Sequence, residues 1–117
     1  AKPDVVIAMA GDVSFGSGQA ELTAAGKKEL DGIAKTISSK YGDNFIRIEG
    51  YTDSTPIKKS KWGSNEALSQ ARAEAVMKYL SSKGTPSSRM EAVGRCSANP
   101  KGTKAASRRV EIHILGS

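Results

Sequence analysis

Asp53 and Arg72 are the residues whose types and spacing best suit a binding chemistry. Asp53 follows an apolar segment, residues 45–51, that predicts a strand. Arg72 falls one turn after Leu68, inside the apolar stripe of a helix predicted over residues 65–83. A guanidinium keeps its proton, so burying it without an anionic partner is costly. We therefore expect Asp53 and Arg72 to meet and to hold a group that carries both an ammonium and a carboxylate.

Each candidate residue also has a purely structural interpretation. Asp53 before Ser-Thr-Pro is typical of a turn capped by its own side chain. Arg72 could form a closed ion pair with Asp53 or Glu49. Arg108 shares the apolar face of the last predicted strand and either joins an anion site or extends to water. Asn65 is typical of a helix N-cap, and ligand contact at that helix end stays open.

Two loops offer further alternatives. The turn at residues 16–18, Gly-Ser-Gly, either brings main-chain N–H groups to a ligand or simply joins a strand to a helix. Lys58, Lys59 and Lys61 beside Trp62 are compatible with nucleic-acid binding. Such clusters are more typical of a solvated loop, and the chain has no recognisable nucleic-acid-binding motif. We expect no nucleic-acid partner.

The sequence offers no convincing set of catalytic residues. His113, the single histidine, is interpreted as a solvent-side strand residue, and Cys96, the single cysteine, as a packing residue without a nearby base. No nucleophile elbow, metal-ligand spacing or phosphate-binding loop is recognisable. An enzyme acting on an anionic substrate therefore ranks last, and we expect no activity, cofactor or metal.

Composition predicts one domain, residues 1–117. Lys and Arg number 18 against 12 Asp and Glu, and the net charge of +6 favours anionic partners. A single cysteine excludes an internal disulfide. No apolar run reaches the ~18–20 residues that a membrane span needs. The chain begins at Ala1, so we interpret it as part of a longer or processed protein with any anchor upstream.

The apolar patterning predicts a β-α-β-α-β-β order. This is an α+β fold, a two-layer sandwich in which a mixed sheet carries both helices on one face. The predicted strands are residues 4–10, 45–51, 89–93 and 108–115. One predicted helix begins after Thr23, which caps it, and ends at residue 41, and the other covers residues 65–83. Residues 13–15 are expected to form a short second strand piece, and residues 94–107 a polar loop.

Five segments together resemble the OmpA-like C-terminal domain family, of the OmpA/Pal/MotB type. They are FGSGQAEL at 15–22, IEGYTD at 48–53, NEALSQARA at 65–73, residues 84–94, and SRRVEI at 107–112. The family includes peptidoglycan-associated lipoproteins and the periplasmic parts of flagellar stator B-subunits. The long loop between Asp53 and Asn65, with Pro56-Ile57 and Ser64, is closer to the stator-like MotB branch.

The resemblance implies non-covalent binding of the peptide stem of peptidoglycan. Asp53 matches the aspartate that receives the diaminopimelate ammonium, and Arg72 the arginine that takes a carboxylate of the same residue. Asn65 matches a ligand-proximal asparagine, and Arg108 the first arginine of the NRR motif. The remaining pocket-lining positions are Thr52, Leu68 and the main chain near Gly18.

Two departures and one alternative accompany the resemblance. Ser107 replaces the asparagine of NRR, and Gly94-Arg95-Cys96 replaces the usual GxG after the third strand. The implied role is to anchor a parent protein, or the outer membrane, to the cell wall in the periplasm of a Gram-negative bacterium. The parent would be tethered to the outer or inner membrane, and a homodimer is compatible with the stator-like likeness. The alternative is a protein-protein interaction module on the same fold, without a wall ligand.

Overall fold

Strands and long helices alternate along the chain in the predicted order. The computed structural model describes residues 4–16, 18–55 and 63–116. The strands are β1 (Val5–Ala10), β2 (Ile46–Tyr51), β3 (Met90–Gly94) and β4 (Arg109–Ile114), and the helices are α1 (Gly11–Ser14), α2 (Ala24–Lys40), α3 (Asn65–Ser82) and α4 (Lys104–Ser107). Within these described ranges, no helix is long and apolar enough to cross a bilayer.

The four strands form one mixed sheet in the order β1-β4-β2-β3. β4 pairs antiparallel with both β1 and β2, whereas β2 and β3 are parallel. The register places Ile7, Ile112 and Ile48 in one row across the sheet. Because side chains alternate along a strand, this row belongs to the face that packs against the helices. The predicted α+β architecture with a mixed sheet is confirmed.

Helix α2 forms as its spacing predicts. Thr23 caps it, since its Oγ1 accepts a hydrogen bond from the Gly26 N–H at 3.1 Å. Leu30, Ile33 and Ile37 are buried in the core, at the spacing that defines one helical face.

Helix α3 lies unusually close to the sheet. A side chain on Gly50 would come within 2.1 Å of the Ser69 carbonyl oxygen, and one on Gly94 within 2.7 Å of the Gln70 nitrogen. Only glycine at these strand positions allows so short a separation. The approach fixes the first two turns of α3, and hence Arg72, beside the end of β2.

Three local predictions are wrong. Residues 13–15 do not form a strand: the chain makes the helical turn α1 directly after β1, and Phe15 forms one isolated bridge with Leu22. The polar segment 94–107 contains the helix α4, which is too short to leave a periodic signal and is capped by Thr103. Arg108 precedes β4 rather than sharing its apolar face.

Candidate functional site

Arg72 is buried, as predicted, but its partners are main-chain carbonyls. Its residue surface is 4% exposed. Nε donates to the Gln19 carbonyl at 2.7 Å and Nη2 to the Gly16 carbonyl at 3.1 Å. The guanidinium also lies 5.0 Å from the centre of the Phe15 ring. The predicted Asp53–Arg72 ion pair is wrong, because the turn at residues 16–19 wraps around Arg72 and supplies its acceptors.

The partner of Asp53 is Arg108. Nη1 of Arg108 donates to Oδ2 of Asp53, while Nε and Nη2 of Arg108 grip the two oxygens of Asp12 at 2.8 Å each. Oδ1 of Asp53 accepts from the Thr55 N–H at 2.8 Å, so this aspartate also caps its own turn. Arg108 therefore bridges two carboxylates and does not extend unpaired into water.

Asp12 is a member of the site that the sequence analysis missed. The antiparallel register of β1 with β4 places Ala10 opposite Arg109, so the residues just beyond Ala10 lie beside Arg108. The sequence signal was an acidic residue two positions after the end of the first predicted strand. That signal has no meaning until the partner strand is known, because strand order is a long-range property.

Arg72 lies next to this bridge. A side chain on Gly11 would meet the Arg108 carbonyl oxygen at 2.7 Å and Nη1 of Arg72 at 3.3 Å. The Gly11 N–H donates to that carbonyl at 2.8 Å. Nη1 of Arg72 makes no hydrogen bond to any described residue. A guanidinium carries five N–H donors, so Arg72 retains donors that face the bridge between Asp12 and Arg108.

We call Asp12, Asp53, Arg72 and Arg108 the strand-end cluster. Burial alone would raise the pKa of Asp53, but hydrogen bonds from Thr55 and Arg108 outweigh it and lower that pKa below its ordinary value. The hydrogen bond from Arg108 lowers the pKa of Asp12. Burial lowers the pKa of Arg72, and the negative charge of Asp12 offsets part of this effect by raising it. An arginine nevertheless stays charged at neutral pH. Two negative and two positive charges therefore meet here.

Asn65 has a different role from the predicted N-cap. Ser64 caps α3, since its Oγ accepts from the Ala67 N–H at 3.1 Å. Asn65 is the first helical residue, and its Nδ2 donates to the Thr55 carbonyl at 2.9 Å and more weakly to the Asp53 carbonyl at 3.4 Å. The amide thus fastens the turn that carries Asp53 to the start of α3.

The other predicted lining residues border the strand-end cluster. Leu68 is buried one turn before Arg72 on α3. Gly18 has a φ of +65° in the turn that wraps Arg72, a conformation that favours glycine. Thr52 is 4% exposed and lies directly before Asp53, and its Oγ1 has no hydrogen-bond partner among the described residues. Lys58, Lys59, Lys61, Trp62 and Pro56-Ile57 lie outside the described residues.

Cys96 occupies a backbone conformation that favours glycine. Its φ is +53°, at the position where the usual GxG pattern ends in glycine. Its N–H donates to Ser69 Oγ at 3.2 Å, and its carbonyl accepts from the Thr52 N–H at 2.7 Å. The departure from GxG therefore leaves a loop that still holds the end of β2 against α3.

The sheet face opposite the helices carries a second charged group. We call it the open-face cluster: Arg47, Glu49, Tyr51, Arg109, Glu111 and His113. His113 lies in β4 on the face away from the core, as predicted. Its side chain is 16% exposed and Nε2 lies 2.9 Å from Glu111, because cross-strand neighbours cover part of the imidazole.

Three of these side chains are chemically able to bind a metal. Atoms of Glu49, Glu111 and His113 lie within 4.8 Å of one another. The carboxylates are already engaged by Arg47 and Arg109, at 2.7 and 2.6 Å. A divalent cation would have to displace these arginines or sit among them. The geometry is that of an ion-pair network rather than of a metal centre.

Comparison with known proteins identifies the family. Residues 14–111 match the model of the OmpA family. The chain belongs to the OmpA family. The probable lipoprotein YiaD of Escherichia coli is 35% identical over 117 residues, which cover 95% of this chain and 51% of YiaD. The matched region likewise covers 49% of outer membrane protein A of Serratia odorifera and 49% of the uncharacterized protein YtxE of Bacillus subtilis, so the chain spans about half the length of these relatives.

Solved structures share the OmpA-like fold. The cell wall anchor of the T6SS from Pseudomonas aeruginosa is 29% identical, with a TM-score of 0.88, over 97% of this chain and 82% of that one. The periplasmic domain of Helicobacter pylori MotB has a TM-score of 0.90 at 23% identity, over 98% of this chain and 84% of that one. The predicted family and its likeness in fold to MotB are confirmed.

Proposed function

We propose that this chain is a non-enzymatic module that binds peptidoglycan through the diaminopimelate of the peptide stem. The observation that carries the proposal is the set of contacts made by the Arg72 guanidinium. Its guanidinium is buried, is held by two carbonyls and keeps Nη1 unused among the described residues, within electrostatic reach of the Asp12 carboxylate. A donor fixed in this way is suited to a carboxylate, and the neighbouring carboxylates are suited to an ammonium.

Asp53 is the acceptor that fits the ammonium. Its oxygens already accept hydrogen bonds from the Thr55 N–H, the Thr55 side chain and Arg108. The two oxygens of a carboxylate together offer about four lone-pair sites, so Asp53 can accept a further hydrogen bond. The lowered pKa keeps Asp53 ionised at neutral pH. Asp53 and Arg72 would then bind the two ends of one zwitterionic group without touching each other, and Arg108 would orient Asp53 between them.

The relatives support a wall-anchoring role. The Pseudomonas aeruginosa neighbour is a cell wall anchor, and the MotB neighbour is a periplasmic domain. We propose that this chain likewise works in the periplasm, tethering its parent protein to the wall, and that the parent is held at the outer or inner membrane. A homodimer stays a prediction.

Cosedimentation with purified diaminopimelate-type peptidoglycan tests the assignment. Asp53→Ala and Arg72→Ala should each lose binding to the pellet, because each removes one of the two groups that hold the zwitterion. Circular dichroism on the same samples establishes that the variants are folded. Retained binding by both variants would overturn the assignment of the site.

Arg89 offers a matched control for Arg72. It too donates to main-chain carbonyls, those of Asn44 at 3.0 Å and Tyr41 at 3.4 Å. It precedes β3, at the opposite end of the parallel pair from Asp53. Arg89→Ala removes the same charge and a similar anchor, and it should leave sedimentation unchanged.

Calorimetric titration with a soluble diaminopimelate stem peptide separates wall binding from the alternative interaction module. Saturable heat that Arg72→Ala abolishes supports the proposed function. Absence of heat, together with no competition against wall binding, favours the interaction module. The net charge of +6 should add a salt-sensitive attraction to the acidic wall. Binding of the short peptide should respond less to salt than binding of whole sacculi.

A further inference from the structure

A groove that Asp53 helps to line opens beside the strand-end cluster. It has a volume of about 270 Å³. One wall is the end of β2, and the other is the loop after β3. The lining residues that matter here are Thr52, Asp53, Lys101, Thr103, Lys104 and Ser107. Since Asp53 belongs to both regions, a ligand bound at Asp53 extends into this groove.

One buried hydroxyl lining the groove is unsatisfied. Thr52 is 4% exposed, and its Oγ1 has no partner among the described residues. Ser107, across the groove, is fully used: its Oγ accepts from the Lys101 N–H at 3.0 Å and donates to the Thr103 carbonyl at 2.9 Å. Buried hydroxyls are normally hydrogen-bonded. The exception at Thr52 indicates a group that a bound molecule would complete.

The charge of the groove favours an anion. Lys101 and Lys104 are exposed on its wall, and neither forms an ion pair within the described part of the chain. Asp53 supplies the carboxylate of the lining, and it is already ion-paired with Arg108. Two free ammonium groups and one free hydroxyl donor therefore face the same space. Ammonium and hydroxyl donors together match a carboxylate.

We propose that this groove is a second subsite of the wall-binding site, for a free carboxylate on the residue next to diaminopimelate. The inference rests on the proposed function. In stem peptides that neighbour is a γ-linked glutamate, whose α-carboxyl group is free in some walls and amidated in others. The subsite therefore makes the domain selective for unamidated stems.

Two tripeptides test the selectivity by titration calorimetry. One is alanyl-γ-glutamyl-diaminopimelate, and the other is the same peptide with the glutamyl α-carboxyl amidated. The natural chain should bind the free acid about 5- to 20-fold more tightly. A Lys101→Gln/Lys104→Gln double variant should lose most of this preference and keep only the part that the Thr52 hydroxyl contributes.

A Lys35→Gln/Lys40→Gln variant is the matched control. It lowers the net charge equally, on helix α2 and outside the groove, and should keep the full preference. Equal affinity of the natural chain for both peptides, or a preference that survives undiminished in Lys101→Gln/Lys104→Gln, would overturn the subsite while leaving the proposed function intact. If the natural chain binds neither peptide, the proposed function and the subsite both fail.

Thr52→Val provides an independent variant because it is nearly isosteric. It removes the unsatisfied hydroxyl, so the melting temperature should stay level or rise. Affinity for the free acid should fall about three- to tenfold, and affinity for the amide should fall less. A lower melting temperature with unchanged selectivity would assign Thr52 to the fold alone.

Discussion

The two charged clusters of this domain differ in how completely their charges are paired. In the open-face cluster, Glu49 is 4% exposed, and its oxygens accept from Arg47 and the Tyr51 hydroxyl. Arg109 donates to Glu111 and to two carbonyls and stacks 4.0 Å over the Tyr51 ring. The described charges of this cluster have partners within the fold, so the cluster is suited to holding strands together.

The strand-end cluster contains similar residue types but is incompletely paired. The side chains of Asp12 and Arg108 are 50% and 32% exposed. Arg72 keeps donors that no described residue uses, and the neighbouring groove contains an unsatisfied hydroxyl. The two clusters therefore differ less in how much charge they hold than in how much hydrogen-bonding capacity the described residues leave unused, and this difference is the basis for placing the proposed ligand at the strand-end cluster.

The largest expected effect is on stability, at Glu49. Glu49→Ala leaves Arg47 and the Tyr51 hydroxyl without their shared acceptor. Breaking one side of a buried ion pair costs about 3–5 kcal/mol, so urea unfolding should move to much lower concentration. Binding to peptidoglycan by the molecules that remain folded should be unchanged.

Asp53→Ala is the contrasting variant for that prediction. Its partner Arg108 keeps Asp12 as a second carboxylate, so the free energy of unfolding should fall by about 1 kcal/mol, and binding should be abolished. If Asp53→Ala destabilised the fold as much as Glu49→Ala does, both clusters would be structural and the comparison would fail.

The second effect is an acid-dependent loss of stability from the open-face cluster. Burial alone would raise the pKa of Glu49, but hydrogen bonds from Tyr51 and Arg47 and the nearby charges of His113 and Arg95 lower it to about 2. The unfolded chain, with an ordinary carboxyl pKa, then binds more protons than the folded chain between about pH 5 and pH 2. The stabilisation is complete above that window and is lost as pH falls through it.

Urea unfolding at a series of pH values measures this loss. We expect a decrease of up to about 3 kcal/mol from Glu49. Glu49→Gln, which cannot titrate, should flatten the curve. Some slope should remain, because the pKa of Glu111 is lowered as well. Burial alone would raise the pKa of Glu111, but the interactions with Arg109 and His113 outweigh that effect. An unchanged slope in Glu49→Gln would assign the acid sensitivity elsewhere.

Local sequence patterns predicted the fold well where elements are long. The apolar spacing of Leu30, Ile33 and Ile37 and the alternation of Val110 and Ile112 identified their elements and buried faces. The four-residue helices α1 and α4 were missed, because one helical turn is too short to show a period. The path of the chain after β1 depends on the pairing of β1 with β4, which local patterns do not encode.

Three of the four members of the strand-end cluster were named from the sequence, but their connections were not predicted. A charge inside an apolar stripe correctly predicted that Arg72 is buried. The pattern could not show that the carbonyls of Gly16 and Gln19 would satisfy it, since main-chain acceptors have no sequence signature. Asp53 and Arg108 were named, but their direct contact and the role of Asp12 depend on strand order.

The smallest effect we predict concerns Asp12 and sharpens the description of the strand-end cluster. Its bidentate contact with Arg108 is half exposed to solvent, so Asp12→Asn should cost less than about 1 kcal/mol in unfolding. With Asp12 neutral, Asp53 is the one remaining carboxylate that pairs with Arg108 among the described residues. Arg108 then interacts more strongly with Asp53, which weakens the attraction of Asp53 for an ammonium. Calorimetry with the stem peptide should show about two- to fivefold weaker binding, less so at high salt because the change is electrostatic. Loss as complete as in Asp53→Ala would instead make Asp12 a direct acceptor of the ammonium, and tighter binding would mean that Asp12 competes with the ligand for Arg108.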